Sequence, residues 1–411
     1  MKHIFSMGLV LMVILAFVAA GRMNQRLLQQ RQEYHLNQAQ PLENAPPLVA
    51  FTTVALGGFR GLLADMLWIR ASTLQDEGKY FELVQLSDWI TKLEPRFAVV
   101  WAYQAWNMSY NISVLFSDPA DRWRWVRNGI SLLRDEGLQY NPGDARLYKE
   151  LGWMFQHKIG MDYDQAHLYY KTAWAYEMTS LLGSPHPAYD DLPASTTQKM
   201  ISLYRMDPSR MKEIDHTLGP LDWRLAQAQA IYWARSGQAW ASGFEAVALE
   251  RMVVQSLAEI FRAGRIVAKP GTKLLTFAPD PSYLPRASAE YEKAINDFPD
   301  QTTFHDGYEN FLRGAVATLY VCGKKEDALK LFERISSEFP SDDMQKGFEH
   351  FVYVMATGSD EPLPPDRALQ LADASTARSR EWSEAGEKGL AEGFGDLARL
   401  IQSEQAKSKS R

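Results

Sequence analysis

One spaced pattern occurs twice in the chain, far apart, and it limits the possible folds more than any other feature. From Gly78 it reads Gly78-Lys79-Tyr80, Leu83, Ser87, Ile90 and Pro95; from Gly323 it reads Gly323-Lys324-Lys325, Ala328, Phe332, Ile335 and Pro340. In both runs small or apolar residues stand five, nine and twelve positions after a glycine, and a proline follows five positions later. Offsets of three, four and seven share one face of an α-helix. The glycine and the proline are residues that stop helices. Each run is expected to be a helix that leaves a turn and buries one stripe.

Other segments extend the pattern. Leu67, Trp68, Ala71 and Leu74 form the first helix of a pair that closes at Pro95. Trp101, Ala105 and Met108 begin a second pair, whose partner helix is delayed by Phe116-Ser117-Asp118-Pro119. That partner is expected to start at Asp118 or Pro119, because Asp caps helix N-termini and Pro suits the first turn. Tyr148, Leu151-Gly152 and Phe155, then Ala166, Tyr170 and Ala173, make a third pair, with two extra residues in its turn and no closing proline. Pro185, Pro187 and Pro193 break the pattern. Helical periodicity resumes over 221–236 and 239–265, and a loop with Pro270, Pro279, Pro281 and Pro285 follows. Ala287, Tyr291, Ala294 and Pro299 match a second helix alone, 309–340 is a full repeat, 342–357 reads as the next first helix, and 365–405 as one or two terminal helices. No strand-like alternation runs beyond a few residues, so the expected class is all-α.

A period of about 34 residues with these positions resembles the tetratricopeptide (TPR) repeat family, over 64–178 and 287–340. The resemblance implies a right-handed superhelical solenoid of antiparallel helix pairs, here with an N-terminal hydrophobic helix. It also implies a concave wall of first helices that grips an extended peptide or a partner helix. Carried over position by position, the groove candidates are Asp65, Trp68, Ser72 and Gln75, then Trp106, Ser109 and Tyr110. Arg146, Lys149, Trp153, Gln156 and His157 follow, then Asn310, Arg313 and Tyr320. Trp, Tyr and Arg dominate binding energy at interfaces, but a Trp at helical spacing is more often core than binding surface.

The expected organisation is a signal-anchor or transmembrane helix over 1–21, a polar tether over 22–47 and helix pairs over 48–179. An irregular helical middle over 180–286, a C-terminal repeat with terminal helices over 287–405 and a disordered tail over 406–411 complete it. The 17 residues Ile4 to Ala20 are apolar except for Ser6 and Gly8; as a helix they reach about 26 Å, just short of a bilayer core. Lys2 and Val18-Ala19-Ala20 fit a cleaved signal peptide, whereas Arg22, Arg26 and Arg31 favour keeping that side cytoplasmic. The reading adopted is an uncleaved single-pass anchor in the cell membrane of a bacterium, with the body periplasmic or extracytoplasmic.

The net charge of −6 gives no basic field for nucleic acid. Cys322 is the only cysteine, which leaves no intrachain disulfide or structural zinc site and reads as a buried thiol. Asp121 to Arg127, with Arg122, Trp123, Arg124 and Trp125, is the densest basic–aromatic run. It is expected to bury Trp125 and Val126 and to solvate its arginines. Asp162-Tyr163-Asp164 lacks the glycine and glutamate that complete a calcium loop. No cofactor and no metal is expected. The leading functional expectation is a non-catalytic protein-binding scaffold for a membrane or envelope complex. The alternatives are a glycan- or peptidoglycan-binding module stacking sugars on Trp123, Trp125 and Trp153, and an enzyme built around His186, Asp190, Asp191 and His216. Oligomeric state stays open.

Overall fold

The computed structural model describes residues 59–268 and 271–409, with isolated positions between 19 and 30. The expected anchor and tether fall almost wholly outside the described residues. Among the described residues no helix is long and apolar enough to cross a membrane. Residues 1–60 form one unit and 61–411 another.

The second unit is helical almost throughout. The elements are α1 (Phe59–Asp76), which enters it from its boundary, α2 (Tyr80–Leu93), α3 (Ala98–Trp106), α4 (Pro119–Ser131), α5 (Ala145–Trp153) and α6 (His167–Leu182). Then come α7 (Ala194–Tyr204), α8 (Pro208–Leu218), α9 (Ala226–Gly237), α10 (Phe244–Ala263), β1 (Arg265–Ala268) and β2 (Leu275–Ala278). The series ends with α11 (Leu284–Asp297), α12 (Thr302–Val321), α13 (Lys325–Glu338), α14 (Phe348–Thr357), α15 (Pro365–Glu384) and α16 (Lys388–Lys409). Three helices run on into π-helical turns: α3 into Asn107–Ile112, α4 into Leu132–Gly137 and α5 into Met154–Ile159.

The glycine–proline pattern has a direct physical cause. Gly78 and Gly323 adopt left-handed φ values of 70° and 74°, which cost glycine no Cβ clash. At both, the amide of the next lysine reaches back to the helix (Lys79 to Leu74 O, Lys324 to Leu319 O), while the glycine amide meets Gln75 O or Tyr320 O. This is the Schellman arrangement that satisfies the last carbonyls of a helix. Gly386 repeats it between α15 and α16, through Glu387 to Trp382 O and Gly386 to Ser383 O. The second helices also end alike: Glu94, Phe298 and Phe339 sit at φ −127°, −129° and −133°, each just before a proline, which disfavours helical geometry in its predecessor.

The stripe residues face inward. Leu83, Ser87 and Ile90, Ala287, Tyr291 and Ala294, and Ala328, Phe332 and Ile335 are all buried. A large apolar core runs from Ala98 to Ile401, beside a smaller one between α1, α2 and Val100. Helices α3, α5, α10, α12 and α14 touch in succession. At the α12–α13 turn the packing is close: a Cβ on Gly323 would come 2.9 Å from the Gly389 carbonyl oxygen, and one on Gly389 2.8 Å from that of Cys322.

Asp118 caps α4 as expected, accepting from the Ala120 amide at 2.9 Å. One expectation needs correction. The proline-rich loop after α10 contains an antiparallel hairpin, β1 paired with β2 from Arg265–Ala278 to Ala268–Leu275. It is fastened to α6 by the Leu275 amide on Thr172 Oγ1 at 3.1 Å. The helical periodicity over 221–236 and 239–265 falls on α9 and α10; α9, with residues 226–234 and Gly237 all buried, packs against α5 and α10. A helix covered on every side belongs at the centre of a core.

Candidate functional site

The site grows from the two π turns that follow α3 and α5. Trp153 and His157 stand one turn apart, and their rings stack at 4.6 Å. The Tyr110 hydroxyl lies 3.2 Å from His157 Nδ1, Tyr163 meets the imidazole at 5.3 Å, and Trp106 stacks on Tyr110 at 5.4 Å. The rings form one ladder, open at Trp106 (37% exposed), Trp153 (38%) and Tyr163 (74%). π turns are frequent at functional sites because they shift a side chain out of the α register.

Beside the ladder lies a cavity of about 350 Å³, within the range of small-ligand pockets. Trp153, Gln156, His157, Met161 and Tyr163 form one wall. Gln255, Glu259 and Arg262, on one face of α10 at i, i+4 and i+7, line another, and α12 contributes Gly307, Asn310 and Phe311. Ala258, Tyr291 and Phe311 are buried, so the floor is apolar and the rim polar. Arg262 pairs with Glu259.

A buried charge cluster supports the ladder from behind. Asp164 accepts from Lys158 Nζ at 2.6 Å and lies 2.9 Å from Arg122. The Tyr170 hydroxyl donates to it at 3.3 Å. Lys158 sits 5.0 Å from the Tyr110 ring centroid, a cation–π contact. Burial, and then the charge of Lys158, hold His157 below the ordinary imidazole range, so the stack is neutral near pH 7.

Of the residues expected in a groove, Trp153, Gln156, His157 and Asn310 meet at this cavity, and Tyr110 and Trp106 join through the ladder. Gln156 is buried and donates to Met252 O and Ser256 Oγ at 3.0 and 3.1 Å, which ties α5 to α10. Ser109 is buried against Met154 Sδ at 3.7 Å. The remaining candidates lie elsewhere. Trp68 packs on Phe97 and Tyr103, Gln75 accepts from Tyr103, Ser72 donates to Trp68 O at 3.3 Å, and Asp65 is exposed. Arg146 pairs with Asp144 at 2.7 Å, Lys149 with Glu150 at 3.1 Å, and Arg313 with Asp343. Tyr320 is a correction: it is 6% exposed and packs on Phe348, so its ring is core.

The basic–aromatic run also resolves differently. Trp123 is the buried indole, stacked on Tyr170 at 5.8 Å, while Trp125 is half-buried against Phe81 and Phe116. Arg122 is buried rather than solvated, because Asp164 compensates its charge. His186 meets the Leu221 carbonyl at 3.0 Å, Asp190 pairs with Lys212 at 2.7 Å and His216 is exposed. Cys322 is half-buried, and burial pushes its thiol up to about 11. Among the described residues no group of three or more His, Cys, Asp or Glu could hold a metal ion.

Repeat register does not point to Gln255, Glu259, Arg262 or Tyr291 as cavity residues. The signal available for the first three is a polar i, i+4, i+7 line on α10, opposite its apolar Leu249, Val253, Leu257 and Ile260. No protein-family model matches the chain, and no curated protein matches it either.

Proposed function

We propose that this chain is a non-catalytic scaffold that holds a protein partner along the aromatic ladder and its adjoining cavity. In this reading the helix pairs build a tetratricopeptide-like solenoid, residues 4–20 tether it to a bacterial membrane, and the partner belongs to an envelope complex. The observation that carries the reading is convergence. Trp153, Gln156, His157 and Asn310 are groove positions by repeat register alone, yet they line one cavity although Asn310 is 157 positions from Trp153. The succession of α3, α5, α10 and α12 is what a wall of first helices requires. An apolar floor with a polar rim and partly exposed tryptophans is the anatomy of a binding hot spot.

The test is cross-linking of the tagged full chain in its own cells, followed by capture and mass spectrometry, beside a Trp153→Ala, Asn310→Ala variant of equal helicity. One envelope complex should be recovered, at least tenfold less with the variant; equal recovery would count against the groove. A glycan reading retains one favourable observation, since Trp153 shares its cavity with the carboxylate of Glu259; Trp123, being buried, drops out of it. Retention of cell-wall fragments without protein would favour that alternative.

A further inference from the structure

Helix α1 carries apolar side chains on two opposite faces. Ala64, Ala71 and Leu74 are buried inward, with Leu67 and Trp68 packed against the same core. Leu62, Leu63, Met66 and Ile69 point away and are 53%, 38%, 57% and 68% exposed. Positions 62, 66 and 69 recur at i, i+4 and i+7, so they form one stripe. A helix that is apolar all round is normally covered all round, and this stripe is open among the described residues.

We propose that the outer face of α1 lies on a lipid bilayer, with the stripe set among the acyl chains. The side chains themselves favour lipid over a protein partner. All four are aliphatic or thioether, whereas the energetic centres of protein interfaces are Trp, Tyr and Arg, with Leu under-represented. Arg70 continues the line of Leu63 and Met66 at i+7 and i+4, half exposed, and its pairing with Glu77 is loose at 3.7 Å. It stands where a guanidinium would meet headgroup phosphate. Asp65, Ser72 and Asp76 mark the opposite, polar edge of the outer face. Arg60, Asp65, Arg70 and Asp76 forbid α1 from spanning a membrane, so the contact proposed is that of a helix lying in the interface plane. The inference rests on the tether reading, because only 38 residues separate Ala20 from Phe59. Anchoring at the first would hold the second beside the same bilayer.

The test uses the full chain with Cys322→Ser, reconstituted into phosphatidylethanolamine–phosphatidylglycerol vesicles. Single cysteines from Met66→Cys, Ile69→Cys or Ser72→Cys carry an environment-sensitive fluorophore. Quenchers placed high on the acyl chains should reduce emission at least twofold at 66 and 69 but not at 72, and aqueous iodide should show the reverse order. A dry fluorophore that lipid quenchers do not reach would overturn the proposal in favour of a protein cover. Loss of that dryness on dilution would identify the cover as a second copy, and its persistence as a segment of the same chain. Iodide quenching equal at all three positions would overturn it in favour of an open face. Alkaline washing of the same vesicles separates the two ideas: retention without lipid quenching rejects the α1 contact alone, and release of the chain rejects the tether as well.

Discussion

The hydroxyl of Tyr110 and Nδ1 of His157 lie 3.2 Å apart, each within a π turn. Through this contact the turns after α3 and α5 are joined beside the cavity that Trp153 and His157 line. A Tyr110→Phe variant keeps the ring and loses the bond. It is expected to lose about 1 kcal/mol of stability, read by urea unfolding, with circular dichroism unchanged. An unmoved midpoint would mean that the bond does not hold the ladder.

His157 should titrate below about 6.5, the value of an unperturbed imidazole, because burial and the Lys158 charge oppose its protonation. A folded pKa beneath the unfolded one means that stability from this residue is present above that value and is lost as pH falls through the depressed one. A proton NMR titration with a midpoint at or above the unperturbed value would sink the argument.

Asp164 compensates two buried cations. Burial alone would raise its carboxyl, but the hydrogen bond from Lys158, the Ala166 amide and the charges of Lys158 and Arg122 hold it below the usual range. Asp164→Asn is expected to cost about 3–5 kcal/mol at pH 7, since it leaves both cations uncompensated. The wild-type advantage is present above about pH 4 and is lost as pH falls through the depressed pKa. An advantage constant from neutral pH down to strong acid would contradict this account.

Glu250 presents the opposite case. It is 3% exposed and faces Glu290; burial first, then the hydrogen bond with Glu290, raise its pKa against the pull of Arg235 and Lys293. The folded protein therefore takes up this proton before the unfolded chain does, and gains relative stability as pH falls toward the unfolded value. Glu250→Gln imitates the protonated form. It should be neutral or stabilising by up to about 1 kcal/mol at pH 7.5, with the difference shrinking toward pH 5. A loss of several kcal/mol by thermal unfolding would show that Arg235 needs the ionised carboxylate.

Two glycines make a paired test of packing. A Cβ on Gly393 would run into the backbone carbonyl of Val321, whereas one on Gly314 would meet nothing within 4 Å. Gly393→Ala is expected to cost about 1–3 kcal/mol by overpacking. Gly314→Ala should gain up to about 1 kcal/mol from helix propensity. Equal denaturation midpoints for the two would refute the packing argument.

The sequence makes the repeat-like helices legible because their marks are local: a left-handed glycine, a buried stripe, a closing proline. It therefore places α2, α11 and α13 with little error, and puts Trp153, His157 and Asn310 on faces that converge. What it does not reveal depends on distant partners. Arg122 looks like a solvated charge until Asp164 is brought against it from beyond α5, and Tyr320 looks like a groove residue until α14 covers it. Helix α9 has neither glycine nor proline punctuation of the repeat type, so nothing local announces that it fills the centre. The β1–β2 hairpin is four residues a side, too short for alternation to stand out.

Gly323 and Gly389 face one another across the α12–α13 turn with room for neither to carry a side chain. Their fates are joined although 66 positions separate them. A change at one forces the two backbones apart, and once apart the second change meets a gap already opened. Measured together, the contact between them is lost once rather than twice, while a change at Gly323 still carries the strain of its left-handed φ. Across descendants of this sequence, Gly323 is expected to persist for its φ, and Gly389 to change only where the backbone at 323 has moved away.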